Sequence, residues 1–416
     1  MKSGHKTNKA TYQHWLDKVM TDKWFGLPAL ALIMWIVFQA TFTLGAYPQQ
    51  WIEQGVAALG KVVESAMTDG MLKDLIVDGI IAGVGGVLVF LPNILILFFF
   101  IALLEESGFM SRAAKLVDKI MHRIGLHGES FIPYIIGFGC NVPAIMATDT
   151  LHTSRDRIIT ILTIPFMSCS ARLPVYMLFV SAFFAVNQGL ILMSVYCAGI
   201  VMAALTSILL SKTLLKKDKE DHDTELPPIQ IPTARNALRL MWDKGYQYLK
   251  KIGTVVLFAS ILIWALGYFP RHEGQTQQEQ IENSFMGRLG KSVEPAVKPL
   301  GFNWQMGITL FTGAAAKEIM VSTMGVLYTG EAGNTASLKQ KLQTAKYDDG
   351  TQVFTPIIAY SFMLFALLYF PCIATLSAIR REIGSRWMLL SLTYSTTVAW
   401  LVSFIFYQTA TYIQAL

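Results

Sequence analysis

Three of the four cysteines lie beside glycine or proline residues that interrupt a helix. The groups, in chain order, are Cys140 with Gly137, Gly139 and Pro143; Cys169 with Pro165 and Pro174; and Cys372 with Pro371. Thiol sulfur is a soft metal ligand, and a proline leaves backbone carbonyl oxygens without their helical donors. Sulfur and free carbonyls at the same place are suited to binding a cation.

The stretch GFGCNVP shows how such an interruption would form. Pro143 removes an amide donor and disfavours the helical conformation at Val142, so one helix should end here and another begin, with Asn141 as its cap. The freed carbonyls, the Cys140 sulfur and the Asn141 amide oxygen would then face a cation. A tight crossing of two helices, which uses glycine for close approach, is the alternative interpretation.

Charged residues inside apolar runs need partners. Arg172 lies between Pro165 and Pro174, and a structural ion pair with a carboxylate is favoured over direct contact with a cation. The candidate carboxylates are Glu105, Glu106 and Glu318. Lys317 directly precedes Glu318. Mutual neutralisation of this pair and a metal- or proton-coupled role for Glu318 both stay open.

The candidate metal ligands combine sulfur with oxygen. They are Cys140, Asn141, Cys169, Cys372 and Glu318. Such a set favours a transition metal over Na⁺, Ca²⁺ or Mg²⁺, but it does not choose among Fe(II), Mn(II), Zn(II) and Cu(I). Cys197 lies in an unbroken apolar run, so we expect a small buried hydrophobic side chain there.

Composition defines the elements that must position these residues. The chain has 416 residues, 53% of them hydrophobic and 15% charged, and its mean hydropathy is +0.45. This is too apolar for a soluble protein, and long apolar runs predict helical spans, so the fold class is all-α. The net charge of +6 comes from Lys and Arg beside apolar runs, which argues against a nucleic-acid partner.

Apolar runs and charge predict about seven full spans and two broken or re-entrant segments, with a cytosolic N-terminus. The predicted organisation is a cytosolic tail at 1–24, a first span and outer amphipathic segment at 25–74, a first gate repeat at 75–211, a cytosolic linker with an amphipathic helix at 212–251, a second gate repeat at 252–384 and a C-terminal span at 385–416.

A short internal repeat supports two related halves. Phe109-Met110-Ser111-Arg112 recurs as Phe285-Met286-Gly287-Arg288, and the same offset carries Cys140 onto Ala316 and Asn141 onto Lys317. The charge bias puts the first copy inside and the second outside, which indicates an inverted repeat.

Several motifs together resemble a known family. LLEESGFMSRAA, IGFGCNVPAIMAT, PFMSCSARLPVY, AAAKEIMVSTMGVLY and FPCIATLSAIRRE are similar to the membrane domain of the bacterial ferrous iron transport protein B family. The resemblance covers about residues 14 to 410. It implies two gate modules, with Cys140 and Cys372 in an iron path and Cys169 beside them.

The resemblance implies inward transport of Fe²⁺ across the bacterial inner membrane. Members of that family begin with a cytosolic GTPase domain, so we expect a separate GTPase as partner, beside the lipid bilayer and a further copy of the chain. We expect no permanently bound cofactor, no GTP site and no enzymatic activity, since GRLGKS at 287–292 has the wrong glycine spacing for a phosphate loop. A gate-fold carrier for nucleosides or another organic solute is the alternative.

Overall fold

Helix dominates the computed structural model, which describes residues 22–89, 91–213, 232–271, 274, 277–329, 335–347 and 350–415. Those ranges contain no strand, apart from one isolated antiparallel bridge between Lys346 and Gln352. The all-α prediction is confirmed. Most of the predicted N-terminal tail and the linker sequence KKDKEDHDTELPP lie outside the described residues.

The described residues up to 213 form ten α-helices and one π-helical turn. They are α1 Lys23–Ala66, α2 Met71–Asp74, a π-helical turn Leu75–Ile81, α3 Ala82–Val89, α4 Leu91–Glu106, α5 Phe109–Arg123, α6 Phe131–Gly139, α7 Asn141–Ala147, α8 Ser154–Thr163, α9 Leu173–Phe183 and α10 Gln188–Thr213.

The described residues from 232 onward form nine further α-helices. It contains α11 Ala234–Tyr268, α12 Gln277–Asn283, α13 Phe285–Val297, α14 Trp304–Thr312, α15 Ile319–Thr329, α16 Thr335–Thr344, α17 Pro356–Leu368, α18 Ile373–Ile383 and α19 Ser385–Ala415.

Five stretches of the described residues are long and apolar enough to cross a membrane. They are 24–66, 154–183, 188–213, 356–383 and 385–415, and the pair α4 and α5, bent by 81°, makes a sixth if it counts as one span. Two of these stretches contain interruptions between short helices, so length alone does not separate full spans from broken ones. The count of seven full spans stays a prediction.

Two helices are longer than the sequence predicted. The predicted first span and the start of the outer amphipathic segment share one helix, since α1 continues through Pro48 to Ala66. Likewise α11 joins the predicted amphipathic helix and the following span into one helix of 35 residues. Amphipathic and fully apolar segments share the same backbone period, so a change of polarity does not require a break.

The chain forms two compact units. Unit 1 contains residues 1–55, 88–164 and 203–251, and unit 2 contains residues 56–87, 165–202 and 252–416. In unit 1, α5 packs against α4 and α6. In unit 2, α9 packs against α15, α16 and α17, and Phe179 on α9 stacks near Phe354 and Phe362. The break before α9 therefore belongs to the same unit as the breaks at 313–318 and 369–372.

The order of the helices agrees with the predicted internal repeat. Helices α5 and α13 begin at Phe109 and Phe285, the two residues that open the repeated tetrapeptides. Each helix precedes a pair of short helices separated by a non-helical residue or loop, α6 with α7 and α14 with α15. The opposite orientation of the two copies in a membrane stays a prediction.

Candidate cation pathway at the broken helices

Four interruptions carry the predicted site residues. Break A is Cys140, between α6 and α7 in unit 1. The other three lie in unit 2: break B is 165–172, before α9; break C is 313–318, between α14 and α15; and break D is 369–372, between α17 and α18. The helices are interrupted at Cys140, Cys169 and Cys372, where the sequence predicts breaks.

At break A the chain turns at a single extended residue. Cys140 has φ −157° and ψ 132°, and its carbonyl oxygen accepts the amide of Ala144 at 3.3 Å. The prediction that Asn141 caps α7 is wrong, because Asn141 is already the first helical residue and Cys140 takes the cap position. Pro143 then falls in the first turn of α7, where a missing amide hydrogen breaks no helical bond.

Asn141 instead presents an unused oxygen. Its side chain is 4% exposed, and its Oδ1 atom has no hydrogen-bond partner. A buried acceptor without a donor costs about 1–3 kcal/mol, so this oxygen is suited to meeting a cation. Gly139 fits the close packing beside it, since a Cβ there would lie 2.8 Å from Cδ2 of Leu97.

Break B is held by the buried guanidinium of Arg172, which is 1% exposed. Its Nη1 donates to the carbonyl oxygens of Pro165 and Met167, each at 3.1 Å, while Nε and Nη2 have no partner. No carboxylate in the described part of unit 2 forms an ion pair with Arg172. Glu318, one of the three candidate carboxylates, is therefore not paired with Arg172, and the carbonyl oxygens at the proline break accept from one of its three nitrogens.

Breaks C and D are joined to each other. The amide of Ile373, at the start of α18, donates to the carbonyl of Ala314 at 2.8 Å. The Nζ of Lys317 donates to the carbonyl of Phe370 at 3.0 Å and lies 3.3 Å from the centre of the Tyr369 ring. These contacts place the Cys372 thiol, which lies 3.2 Å from Oγ1 of Thr375, next to break C.

The result in unit 2 is a cluster of two thiols and two buried basic side chains. Cys169 and Cys372 both keep partial exposure, whereas Lys317 is 2% exposed. Cys169, Cys372, Arg172 and Glu318 all lie close enough to Lys317 to interact with it electrostatically. Sequence reasoning missed Tyr369 and the Phe370 carbonyl, although their position directly before Pro371 could have indicated them.

The remaining predicted residues have other roles. Glu106 accepts from the Thr233 amide at 3.1 Å and from Nδ2 of Asn236 at 2.9 Å, so it anchors the start of α11. Glu105 lines a cavity of unit 1. Cys197 is exposed on α10, so the expectation of a buried side chain is wrong. An apolar run on a membrane helix can face lipid as readily as protein.

A cavity of about 730 Å³ opens beside break A in unit 1. Its apolar wall includes Ile136 and Pro143, and its polar lining includes Glu129, His152 and Asp156. Asp156 accepts from the His127 ring at 2.5 Å, and Glu129 lies 3.4 Å from Nε2 of His152. Nothing in the sequence indicated this group, because its residues come together only through the packing of α5 to α8.

No group of three or more His, Cys, Asp or Glu in the described residues is spaced to hold a metal ion. The structure brings Cys169, Cys372 and Glu318 into unit 2 and Cys140 and Asn141 into unit 1.

Comparison with known proteins identifies the family. A family model described as Gate, nucleoside recognition, matches residues 87–183 and 249–386, which is more than half of the chain. A second model, the C terminus of ferrous iron transport protein B, matches residues 192–244. The chain belongs to the Gate family. Together the two matches confirm the resemblance to the membrane domain of ferrous iron transport protein B.

The chain is similar to proteins that are named as ferrous iron transporters. The chain is 48% identical to the Fe(2+) transport protein A/Fe(2+) transporter FeoB fusion protein of Porphyromonas gingivalis, over 94% of this chain and 51% of that protein. It is 44% identical to Fe(2+) transporter FeoB of Staphylococcus aureus strain COL, over 96% and 60% of the two chains. For the Campylobacter jejuni protein of the same name the values are 41%, 96% and 66%. The chain thus spans half to two thirds of the length of these relatives. No solved structure matches it.

Proposed function

We propose that the chain is the permease part of a ferrous iron transporter of the bacterial inner membrane. Fe²⁺ is the substrate, and it passes thiols and free carbonyl oxygens at the broken helices. The observation that carries the proposal is the position of Cys169 and Cys372, two partly exposed thiols on two proline breaks of one unit. The names of the relatives supply the metal.

The chemistry of the donors favours iron over hard cations. Sulfur and carbonyl oxygen together suit a borderline divalent transition metal, whereas Mg²⁺ and Ca²⁺ prefer oxygen alone. Each thiol that binds the metal releases its proton to water, so capture should weaken at low pH. Asn141 adds a buried amide oxygen without a donor in unit 1.

Regulation and orientation are part of the same proposal. The N-terminus lies in the cytosol, and a separate GTPase docks on basic cytosolic surfaces and drives relative movement of the two repeats. The chain itself acts as a transporter and not as an enzyme, it holds no permanent cofactor and no GTP, and it can assemble with a second copy. The two gate repeats take the boundaries 75–211 and 252–384.

The test is anaerobic uptake of radioactive Fe²⁺ into proteoliposomes. We expect Cys169→Ser and Cys372→Ser each to lower uptake by about tenfold, equivalent to about 1.4 kcal/mol of lost binding energy. Cys140→Ser should lower it as well. Cys197→Ser is the matched control, because this thiol is exposed on an unbroken helix, and its uptake should equal that of the wild type.

A carrier for nucleosides, suggested by the family description alone, makes the opposite prediction. Uptake of a labelled nucleoside would then survive all three substitutions. Iron uptake that persists unchanged in the triple variant Cys140→Ser, Cys169→Ser, Cys372→Ser would overturn the thiol pathway.

A further inference from the structure

Lys317 is a buried lysine that has no carboxylate partner in the described part of its unit. It is 2% exposed, and no carboxylate in the described part of unit 2 forms an ion pair with it, although Glu318 is the next residue. The guanidinium of Arg172 adds a second positive charge nearby. Burying an unpaired charge costs several kcal/mol, so stability does not explain this residue.

The groups that hold Lys317 are those that would hold a free cation. Its Nζ contacts the Phe370 carbonyl at 3.0 Å, one residue before Pro371. The Tyr369 ring lies under the same atom, 3.3 Å from ring centre to Nζ. Carbonyl oxygens and aromatic faces are both common hosts for cations in proteins. The ammonium thus occupies a cation position at the junction of breaks C and D.

Break A shows what this position looks like without the lysine. The repeat offset that joins Phe109 to Phe285 places Asn141 on Lys317. The side chain of Asn141 has a buried oxygen with no hydrogen-bond partner, whereas the Nζ of Lys317 already donates to a carbonyl oxygen. One copy of the repeat accepts a cation, and the other carries its own.

We propose that Lys317 is a selectivity residue, a tethered cation that occupies the site beside Cys169 and Cys372 until a thiol-binding metal displaces it. Na⁺, K⁺ and Mg²⁺ gain little from sulfur, so they cannot compensate for moving the ammonium away from the Phe370 carbonyl. A soft or borderline divalent metal gains sulfur ligands and releases thiol protons, which offsets the displaced charge. The identity of that metal as Fe²⁺ rests on the proposed function above.

The experiment compares the wild type with Lys317→Met and Lys317→Gln in proteoliposomes. Methionine removes the charge, and glutamine removes it but can still donate to the Phe370 carbonyl, which preserves the link between the two breaks. The first readout is entry of radioactive Na⁺ and of Mg²⁺, measured with a trapped dye. We expect both variants to admit these ions at least about tenfold faster than the wild type, while Lys317→Arg stays closed.

Lys291→Met is the matched control. Lys291 also lies over an aromatic ring, 5.5 Å from Nζ to the centre of Trp304, but its side chain is exposed and paired with Glu282. This variant should not leak. A size-exclusion profile and thermal midpoint for each variant separate selectivity from misfolding, and if Lys317→Met does not fold, Lys317→Gln carries the result.

The outcomes separate this proposal from the proposed function. A hard-cation leak in Lys317→Gln supports the tethered cation even if the wild type carries no Fe²⁺, in which case only the iron assignment fails. Iron uptake in the wild type with no Na⁺ or Mg²⁺ entry in either folded variant overturns the tethered cation and leaves iron transport standing. Equal leaks in the Lys291 and Lys317 variants also overturn it.

Discussion

Breaks A and C occupy equivalent places in the internal repeat, yet they present opposite electrostatics. Break A has a thiol at Cys140 and an unpartnered acceptor on Asn141. Break C has Ala316 and Lys317 at the two corresponding positions, and the Nζ of Lys317 donates a hydrogen bond to the carbonyl oxygen of Phe370. The predicted repeat therefore keeps the position of a helix break while it changes the charge that the break presents.

Under the two proposals above, the breaks have different roles. Break A would bind an arriving cation through its acceptors, whereas the lysine of break C would determine which ions can replace it. Glycine also serves the two breaks differently. Gly139 makes room for Leu97 beside break A, whereas a Cβ at Gly313 would lie 2.5 Å from the hydroxyl of Tyr369. The aromatic partner of Lys317 thus depends on a glycine in break C.

Removing the acceptor of break A should have the largest effect. Asn141→Leu should lower Fe²⁺ uptake about tenfold to a hundredfold, because contacts to a charged group contribute about 1.5–3 kcal/mol. Asn141→Asp keeps the oxygen and should retain uptake. The measurement is the initial uptake rate in proteoliposomes across a range of Fe²⁺ concentrations.

Thr160→Val is the control for Asn141. Thr160 also has a buried oxygen without a partner, but it lies inside α8, away from a break. Its replacement should leave uptake near the wild-type rate. If Asn141→Leu also transports normally, the contrast between the two breaks has no functional meaning.

A methyl group at break C should have the next largest effect. In Gly313→Ala the new Cβ would meet the Tyr369 hydroxyl at 2.5 Å and the Met320 thioether at 2.7 Å. Overpacking of this kind costs about 1–3 kcal/mol, so the thermal midpoint in detergent should fall. Gly267→Ala, with nothing within 4 Å of the added atom, should not lower it. Equal midpoints for both variants would show that Tyr369 moves freely.

The smallest effect concerns the cavity beside break A. Burial raises the pKa of Glu129 above its ordinary value of 4.5, against the opposing influence of His152. A raised pKa in the folded state means that this group's contribution to stability is complete below pH 4.5 and is lost as the pH rises through the folded-state pKa. Glu129→Gln should therefore be slightly more stable than the wild type at pH 7, by less than about 1 kcal/mol, and should lose this advantage near pH 4.

Thermal midpoints measured from pH 4 to pH 7 check this expectation. Glu282→Gln is the control, since Glu282 is exposed and paired with Lys291. Its midpoint should follow the wild type across the range. A Glu129→Gln profile that runs parallel to the wild type would mean that the carboxyl is as well solvated in the folded chain as in the unfolded one.

The sequence predicted the helical class and the places where helices stop, because proline and glycine act locally on the backbone. It did not predict the partners of the buried charges. Arg172 and Lys317 bind carbonyls of Pro165, Met167 and Phe370, and which carbonyls are free depends on how the breaks pack together. The cap at break A is Cys140, one residue before the predicted Asn141.

The amide of Ile373 on the Ala314 carbonyl and the ammonium of Lys317 on the Phe370 carbonyl are two crossed links between breaks C and D. Neither loop can shift far while the other stays in place, because each supplies a donor to its neighbour. A displacement of either loop away from the other therefore breaks both links.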